Sequence, residues 1–216
     1  MVKLQDYFRE KTHIVWDWNG TLLDDVDFCI QTINEILVEH GLKQVSRDAY
    51  RERFAFPVVD YYKTLGFDFN KVSFEVVGKA FFDRYRAGLN KGSSLFEGTK
   101  DLLKSLKAEG KHLYILSAAE EQHLFEATRY FQVEHLFDGV YGISNVYATS
   151  KVDRGKELLQ KIAALKEKII FVGDTDHDLD VAKSLGIDAL LIADGHQPYC
   201  KLKPLHNAVL ESRYMK

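Results

Sequence analysis

The sequence predicts an α/β protein with a Rossmann-like, doubly wound parallel sheet as its core and an inserted α-helical cap. The first observation is that short apolar segments alternate with amphipathic helical patterns through most of the chain. The second is that residues 26–92 break this alternation, because they show helical patterns and no convincing buried strand. Strands that alternate with helices at this spacing are typical of βαβ units, which build parallel sheets.

Five segments have the length and the apolar, partly β-branched composition of buried strands. They are residues 13–16, 112–116, 139–143, 169–172 and 189–193, of which 139–143 has the weakest pattern. The core helices are predicted at residues 98–109, 120–131, 152–165 and 179–185. Gly110 and Gly186 stand just after the first and the last of these helices, where glycine commonly ends a helix.

The cap is predicted as a set of helices between the first strand and the rest of the sheet. The helices cover residues 27–40, 47–54, 58–65 and 74–90, with turns at Gly41, Pro57 and Gly66. In the first of them Ile30, Ile33 and Ile36 form an apolar stripe, as in a helix that buries one face. We therefore expect residues 1–23 and 93–216 to form the core domain and residues 24–92 to form the cap domain.

Composition and charge exclude several classes of function. Apolar residues make up 46% of the chain and charged residues 28%, as in ordinary globular proteins. A net charge of −3 argues against a nucleic-acid surface or a polybasic membrane patch, and no apolar run is long enough to span a membrane. Cys29 and Cys200 form no CxxC pair, which fits a reducing compartment. We expect a cytoplasmic monomer or weak dimer that binds neither nucleic acid nor membranes.

Polar residues follow the predicted strands at the points where the strands end. Asp17 ends the first strand, Ser117 ends the second, and Asp174 ends the fourth after one glycine. Asp178 lies four residues after Asp174, and Lys151 precedes a predicted helix. Because ligands of doubly wound sheets bind beyond the carboxyl ends of the strands, we expect two carboxylates, Asp17 and Asp174, to share one rim with Ser117 and Lys151.

These residue types suit phosphoryl transfer. A carboxylate such as Asp17 can attack phosphorus and form an aspartyl-phosphate, which divides one difficult displacement into two easier ones. Mg²⁺ takes oxygen ligands, and Asp17 and Asp174 are suited to hold it. The Ser117 hydroxyl can donate a hydrogen bond to a phosphate oxygen, and Lys151 can hold the phosphate and the nucleophile together as a point charge.

The segments DWNGT, LSAA, SK and GDTDHD, in this order, closely resemble the four motifs of the haloacid dehalogenase-like hydrolase superfamily. In the first motif, DxDxT, Asp17 matches the nucleophile and Thr21 the threonine. The other matches are Ser117 in the second motif, Lys151 in the third, and Gly173, Asp174 and Asp178 in the fourth. The helical insert resembles the C1 cap of the phosphoglycolate phosphatase-like and β-phosphoglucomutase-like subgroup.

The resemblance implies an Mg²⁺-dependent phosphatase that acts on a small phosphorylated metabolite through an aspartyl-phosphate on Asp17. The catalytic residues that it implies are Asp17, Asn19, Ser117 and Lys151. The metal-binding residues that it implies are Asp17, Asn19 through its backbone carbonyl, Asp174 and Asp178, the last as a water-mediated partner. Thr21, Ala118 and Arg53 are expected to contact the substrate.

Asn19 departs from the family pattern. The family's phosphatases carry a second Asp at this position, which protonates the leaving group and later activates water. An Asn side chain has no titratable proton and can do neither. General acid–base catalysis contributes roughly 10² to 10⁴ in rate, so we expect slow turnover with metal and phosphate binding retained.

Other interpretations of Asn19 stay open. The chain could be a catalytically weakened scaffold that binds a phosphorylated ligand or a protein partner, and an engineered replacement of Asp is also compatible with the sequence. C–P or C–halogen hydrolysis is a minor alternative, since phosphonoacetaldehyde hydrolases carry DWAGT and dehalogenases carry Tyr at this position. The former need a cap lysine that we expect near Val58 and Val59, and Lys63 lies more than a turn further on.

Two assignments leave competing residues. Lys156 and Arg154 compete with Lys151 for the third motif, because the Lys-Pro pair that often marks this position is absent. In the cap, Arg51 and Arg53 lie where the family places specificity residues. Either arginine could pair with an anionic group of the substrate.

Overall fold

The computed structural model of the protein describes residues 4–143 and 150–213, apart from the side chain of Asn90. The strands in these ranges are β1 (His13–Trp16), β2 (Leu23–Asp24), β3 (Ser94–Leu95), β4 (His112–Glu120), β5 (Gly139–Ile143), β6 (Ile169–Gly173), β7 (Asp188–Ile192) and β8 (Val209–Leu210). The α-helices are α1 (Val26–Glu39), α2 (Arg47–Arg53), α3 (Val58–Thr64), α4 (Phe74–Gly92), α5 (Thr99–Ala108), α6 (Glu121–Tyr130), α7 (Lys151–Lys161), α8 (Asp176–Leu185) and α9 (Tyr199–Leu202).

The main sheet is parallel and has the order β5–β4–β1–β6–β7–β8, with β1 near its centre. His13 of β1 pairs with His112 of β4 and with Ile169 of β6, so these three strands start level with one another. The chain builds the sheet outward on one side of β1 and then on the other. This reversal is a topological switch point, where the carboxyl ends of the strands leave a crevice for ligands.

Helices cover both faces of the sheet, so its central strands are apolar on both sides. Ile14 and Trp16 of β1 face one buried cluster, which includes Leu103 of α5. Val15 faces the opposite cluster, which includes Leu158 of α7. This double burial makes β1 a rigid support for the residues that follow it.

The helices α1 to α4 bury a hydrophobic cluster of their own, in which Ile33, Tyr50 and Tyr62 take part. The short antiparallel ribbon of β2 and β3 joins these helices to the core at both crossing points of the chain. A separate cluster with two adjacent connections supports the proposed limits of the cap, residues 24–92.

The structure confirms the α/β class and the parallel sheet, and it changes several boundaries. Strand β4 continues to Glu120 instead of ending near Leu116, so the second-motif segment is extended until α6 begins. Helix α7 ends at Lys161, earlier than predicted, and α8 begins at Asp176, earlier than predicted. The sequence analysis missed β2, β3 and β8, because two residues are too few to show a period.

A membrane span would need a longer and more apolar helix than any found in the described ranges.

Candidate active site

Asp17 lies directly after β1 at the carboxyl edge of the sheet. Its backbone N–H donates to the Val172 carbonyl of β6 at 2.8 Å, so sheet hydrogen bonding continues through this residue and fixes its position. One carboxylate oxygen from each of Asp17, Asp174 and Asp178 lies within 4.8 Å of the other two. The side chain of Asp17 is only 10% exposed, so the group is nearly enclosed.

Lys151 joins two of these carboxylates. It is the first residue of α7, and its Nζ donates to Asp17 Oδ1 at 2.7 Å and to Asp178 Oδ1 at 2.6 Å. Lys156 is exposed and forms a surface ion pair instead. The Arg154 side chain donates to the backbone of β5. Of these three basic residues, the structure therefore brings Lys151 to the carboxylates.

Asp178 is fixed by the first turn of α8. Its Oδ2 accepts from the Thr175 hydroxyl at 2.7 Å, from the Thr175 N–H at 3.0 Å and from the Asp174 N–H at 3.1 Å. Thr175 in turn accepts from the Asp178 N–H, which completes a capping box. Both oxygens of Asp178 therefore already accept hydrogen bonds, and the side chain ties Lys151 to the loop after β6.

Asp174 is buried at the end of β6. The Thr21 hydroxyl donates to its Oδ1 at 2.9 Å, and the His196 backbone N–H donates to its Oδ2 at 2.6 Å. Gly20, with a φ of +69°, lies against the same carboxylate, where a Cβ atom would collide with Asp174 and His196. The structure thus places the Thr21 hydroxyl on Asp174, although we expected it to contact the substrate.

The other expected site residues differ in their surroundings. Ser117 is buried in β4, and its Oγ accepts from the Ala119 N–H at 3.1 Å. Ala118, between them, is exposed at this end of β4. Arg53 ends α2 with its side chain exposed, a position that offers no support for the expected contact with the substrate.

The buried charges shift one another's pKa values. Burial, reinforced by the neighbouring carboxylates, raises the pKa of Asp17 to about 7 and that of Asp174 to about 6. Burial would also raise the pKa of Asp178, but Lys151 outweighs it and holds that pKa below its ordinary value. Burial acts to lower the pKa of Lys151, and Asp17 and Asp178 reverse this effect, so the lysine stays charged.

These residues fit a magnesium ion. Three carboxylates face one lysine, so the ionised group carries more negative charge than Lys151 balances. Mg²⁺ prefers oxygen ligands and commonly uses one or two carboxylates together with water and substrate oxygens. Asp178 accepts four hydrogen bonds, one of them from the charged Lys151, whereas Asp174 accepts two and Asp17 accepts one. Asp17 and Asp174 therefore keep more lone pairs for a metal ion than Asp178 does.

A second polar cluster, here called the Asp25 network, includes Asn19 and consists of five side chains, those of Asn19, Asp25, Tyr50, Tyr85 and His196. The Asn19 amide nitrogen donates to Asp25 Oδ2 at 2.8 Å and to the Tyr85 hydroxyl at 2.6 Å. Tyr85 donates to the same Asp25 oxygen at 2.6 Å. His196 Nε2 lies 3.4 Å from Asp25 Oδ1, and its Nδ1 lies 3.0 Å from the Tyr50 hydroxyl.

The sequence analysis missed the Asp25 network. A signal existed for His196, because it follows β7, which ends at the same edge of the sheet as β1 and β6. No signal existed for Tyr85, since it lies 60 residues from Asp25 in a helix whose aromatic residues resemble ordinary core residues.

The cap is closed over this edge of the core. Arg51 Nε donates to the Gly195 carbonyl at 2.8 Å, and its Nη2 donates to the Ala193 carbonyl at 2.6 Å. Gln197 of the same core loop donates to the Phe54 carbonyl of the cap at 3.0 Å. Arg51, one of two candidates for binding a substrate anion, therefore holds the loop after β7 instead.

A family model described as haloacid dehalogenase-like hydrolase matches residues 14–192, which span the whole cap and the carboxyl-edge site. This chain belongs to the haloacid dehalogenase-like hydrolases. The resemblance to this hydrolase superfamily that was read from the motifs is thereby confirmed.

Tyrosine-protein kinase PtkA of Mycobacterium tuberculosis is 26% identical to this hydrolase over 184 residues, which are 85% of this chain. The chain spans only 62% of the length of that relative. A 5′-nucleotidase of Pseudomonas aeruginosa is 25% identical over 222 residues, covering 97% of this chain and 100% of the nucleotidase. A solved structure described as a predicted phosphoglycolate phosphatase from Haemophilus somnus shares the fold, with a TM-score of 0.74, 21% identity, and coverage of 94% and 95% of the two chains.

Proposed function

We propose that this hydrolase is an Mg²⁺-dependent phosphatase that acts on a small phosphorylated metabolite through an aspartyl-phosphate on Asp17. The observation that carries the proposal is the bridge from Lys151 to Asp17 and Asp178 beside Asp174. A buried lysine between two carboxylates holds the nucleophile in one orientation. Positioning and charge neutralisation are also what phosphoryl transfer chiefly requires.

In this proposal Asp17 attacks phosphorus, and the leaving alcohol departs from the opposite side. Lys151 neutralises charge on the transferring group, and Ser117 donates its hydroxyl to a phosphate oxygen. Asp17, Asp174 and the backbone carbonyl of Asn19 hold Mg²⁺, while Asp178 keeps Lys151 and the Asp174 loop in place. When bound, Mg²⁺ balances the carboxylates and the phosphate oxygens.

The steps that need proton transfer are slow in this proposal. Asn19 has no acidic proton, and both N–H groups of its amide donate within the Asp25 network. Hydrolysis of the aspartyl-phosphate suffers most, because water must then attack without a base at position 19. A good leaving group needs little protonation, so the first step remains fast with an activated ester.

The test is a time course of phosphate and alcohol release from an aryl phosphate with Mg²⁺. We expect a burst of alcohol close to one equivalent per chain, then slow turnover, together with a mass increase of one phosphoryl group on Asp17. Asp17→Asn should abolish the burst and the mass increase. The matched control is Asp180→Asn in α8, whose side chain is 74% exposed and whose substitution should change neither.

Two results would count against the proposal. Turnover that survives Asp17→Asn would place the nucleophile elsewhere. If no ester reacts but vanadate, a phosphate mimic, binds only with Mg²⁺, the chain is a binding scaffold instead of a phosphatase.

Lys63, the residue nearest to the position of a Schiff-base lysine, ion-pairs with Asp60 at the cap surface, which does not support C–P hydrolysis.

A second candidate is transfer of the phosphoryl group from Asp17 to an acceptor other than water. An intermediate that water attacks slowly persists long enough for another nucleophile to reach it, and the relative named tyrosine-protein kinase suggests a phenol as the acceptor. In this step the Asp17–phosphorus bond breaks, a phenol oxygen–phosphorus bond forms, and the phenol proton goes to solvent. Adding a tyrosine-containing peptide to the phosphorylated chain and measuring phosphotyrosine tests it.

A further inference from the structure

Asp25 is the centre of a buried set of hydrogen-bond donors. It precedes α1 and is only 1% exposed. Its Oδ1 accepts from the Gly20 N–H at 2.9 Å and lies 3.4 Å from His196 Nε2. Its Oδ2 accepts from the Asn19 amide and from the Tyr85 hydroxyl. Every neighbour of this carboxylate in that set therefore presents a donor, as an ionised buried carboxylate requires.

The amide of Asn19 matches this arrangement, and a carboxylate at position 19 does not. Asn19 Nδ2 lies 2.8 Å from Asp25 Oδ2, so a second carboxylate in the same rotamer would set two acceptors against each other at a part-buried position. Such a pair must repel or trap a proton between its oxygens. The side chain at position 19 therefore depends on the side chain at position 25.

We propose that Asp25 is a positioning residue that selects the amide at position 19. Asn19 and Asp25 then form one donor–acceptor pair, here called the exchanged pair because the amide and the carboxylate can change places only together. The pair fixes the side chain that stands two residues after Asp17. A single substitution of Asn19 by Asp then fails to install a working acid–base. The exchange of both residues succeeds, because the amide at position 25 keeps an oxygen for the Gly20 N–H and donates through its nitrogen to position 19. The kinetic part of this inference rests on the proposed function, and the stability part does not.

The stability test compares the chain with Asn19→Asp, Asp25→Asn and the double variant, without Mg²⁺, by thermal unfolding. We expect each single variant to lower the melting temperature by on the order of 5 °C, and the double variant to recover most of that loss. The matched control is Asn19→Asp combined with Asp27→Asn. Asp27 lies in the first turn of α1, two residues after Asp25, and its side chain is 79% exposed. Its substitution therefore restores the same net charge without reaching position 19.

The kinetic test measures kcat and KM for an aryl phosphate with Mg²⁺ in the same variants. We expect no gain in kcat from Asn19→Asp alone, and a gain of roughly 10² to 10⁴ with little change in KM in the double variant. A merely structural role for Asp25 would restore stability in the double variant without this change in kcat.

Several outcomes contradict the inference. It is wrong if the losses in melting temperature add in the double variant, or if the Asp27 control recovers as much. It is also wrong if Asn19→Asp alone raises kcat. If Asp25→Asn does not fold, the comparison of Asn19→Asp with the double variant still separates these results. If no variant turns over any ester, the proposed function fails while the melting temperatures still test the exchanged pair.

Discussion

At the scale of single residues, the site is defined by excess negative charge. Asp17, Asp174 and Asp178 are buried together, and Lys151 is the basic side chain that bridges two of them. The raised pKa values of Asp17 and Asp174 mean that protons occupy this site in the ion-free chain at mildly acidic pH. If the proposed Mg²⁺ site is correct, protons and Mg²⁺ compete for the same oxygens.

This competition predicts how Mg²⁺ stabilises the chain at different pH. Because the folded pKa values of Asp17 and Asp174 lie above their ordinary value, the folded ion-free chain holds protons that the unfolded chain has already released. Its stability therefore falls as pH rises from about 4 to about 7. Mg²⁺ offsets this loss once the protons have left. We expect the Mg²⁺-induced rise in melting temperature to be larger at pH 7.5 than at pH 5, because Asp17 and Asp174 must release their protons before they can bind the ion.

The comparison is made at one pH at a time, with and without Mg²⁺. His196 keeps its proton in the folded chain across this range, since Asp25 overcomes the effect of burial and raises the pKa of His196 to about 9. The unfolded chain releases that proton in this range, which affects both samples equally. Asp174→Asn should remove most of the Mg²⁺ effect at either pH. An equal Mg²⁺ effect at both pH values would contradict the assignment of Asp17 and Asp174 as ligands.

At the scale of elements, the start of α8 holds the site together. Thr175 caps this helix and binds Asp178, which in turn holds Lys151. We expect Thr175→Ala to cost about 0.5–2 kcal/mol of unfolding free energy, as for other N-caps, and also to lower kcat because Asp178 loses a donor. Chemical denaturation and the aryl phosphate assay measure the two effects.

Ser73 provides the control for this substitution. It caps α4 by accepting from the Val76 N–H, far along the chain from the carboxylates. We expect Ser73→Ala to cost a similar free energy and to leave kcat unchanged. Equal effects of Thr175→Ala and Ser73→Ala on kcat would show that the cap of α8 has no special link to the site.

Elements were also the scale at which the sequence was most informative. The hydrophobic periodicity and the positions of the strand ends predicted the parallel sheet and placed Asp17, Lys151 and Asp174 at one edge of it. The positions of these three residues follow from local sequence patterns. The same reasoning could not find Asp25 and Tyr85 as partners of Asn19, since their contact depends on how α4 packs against α1. Asn19→Asp would seem a simple restoration from the sequence alone, and the structure adds the residue that opposes it.

At the scale of the whole molecule, the cap is held on the core by Arg51. Its guanidinium donates to the backbone carbonyls of Ala193 and Gly195. These residues are more distant in sequence than any local pattern could reveal, with separations of 142 and 144 residues. We expect Arg51→Met to speed amide hydrogen exchange in α2 and in the loop after β7, because those carbonyls lose their donor. The global melting temperature should change less than the local exchange rates.

Arg47 is the matched control, because it begins the same helix and pairs with Asp27 at the surface of the cap. Arg47→Met should leave exchange in the loop after β7 unchanged. Unchanged exchange in Arg51→Met would mean that the remaining contacts between cap and core, such as that of Gln197 with Phe54, hold the closed form without it.

The near-complete enclosure of Asp17 has a consequence for timing. Under the proposed function a metabolite has to reach a carboxylate that is only 10% exposed, so we expect each turnover to begin and end with a movement of the cap. The same opening of the cap that admits the ester also admits the water or the other acceptor that the second step needs. The acceptor of the phosphoryl group is then whichever molecule enters when the cap next opens, and the rate of cap opening sets the timing of the reaction.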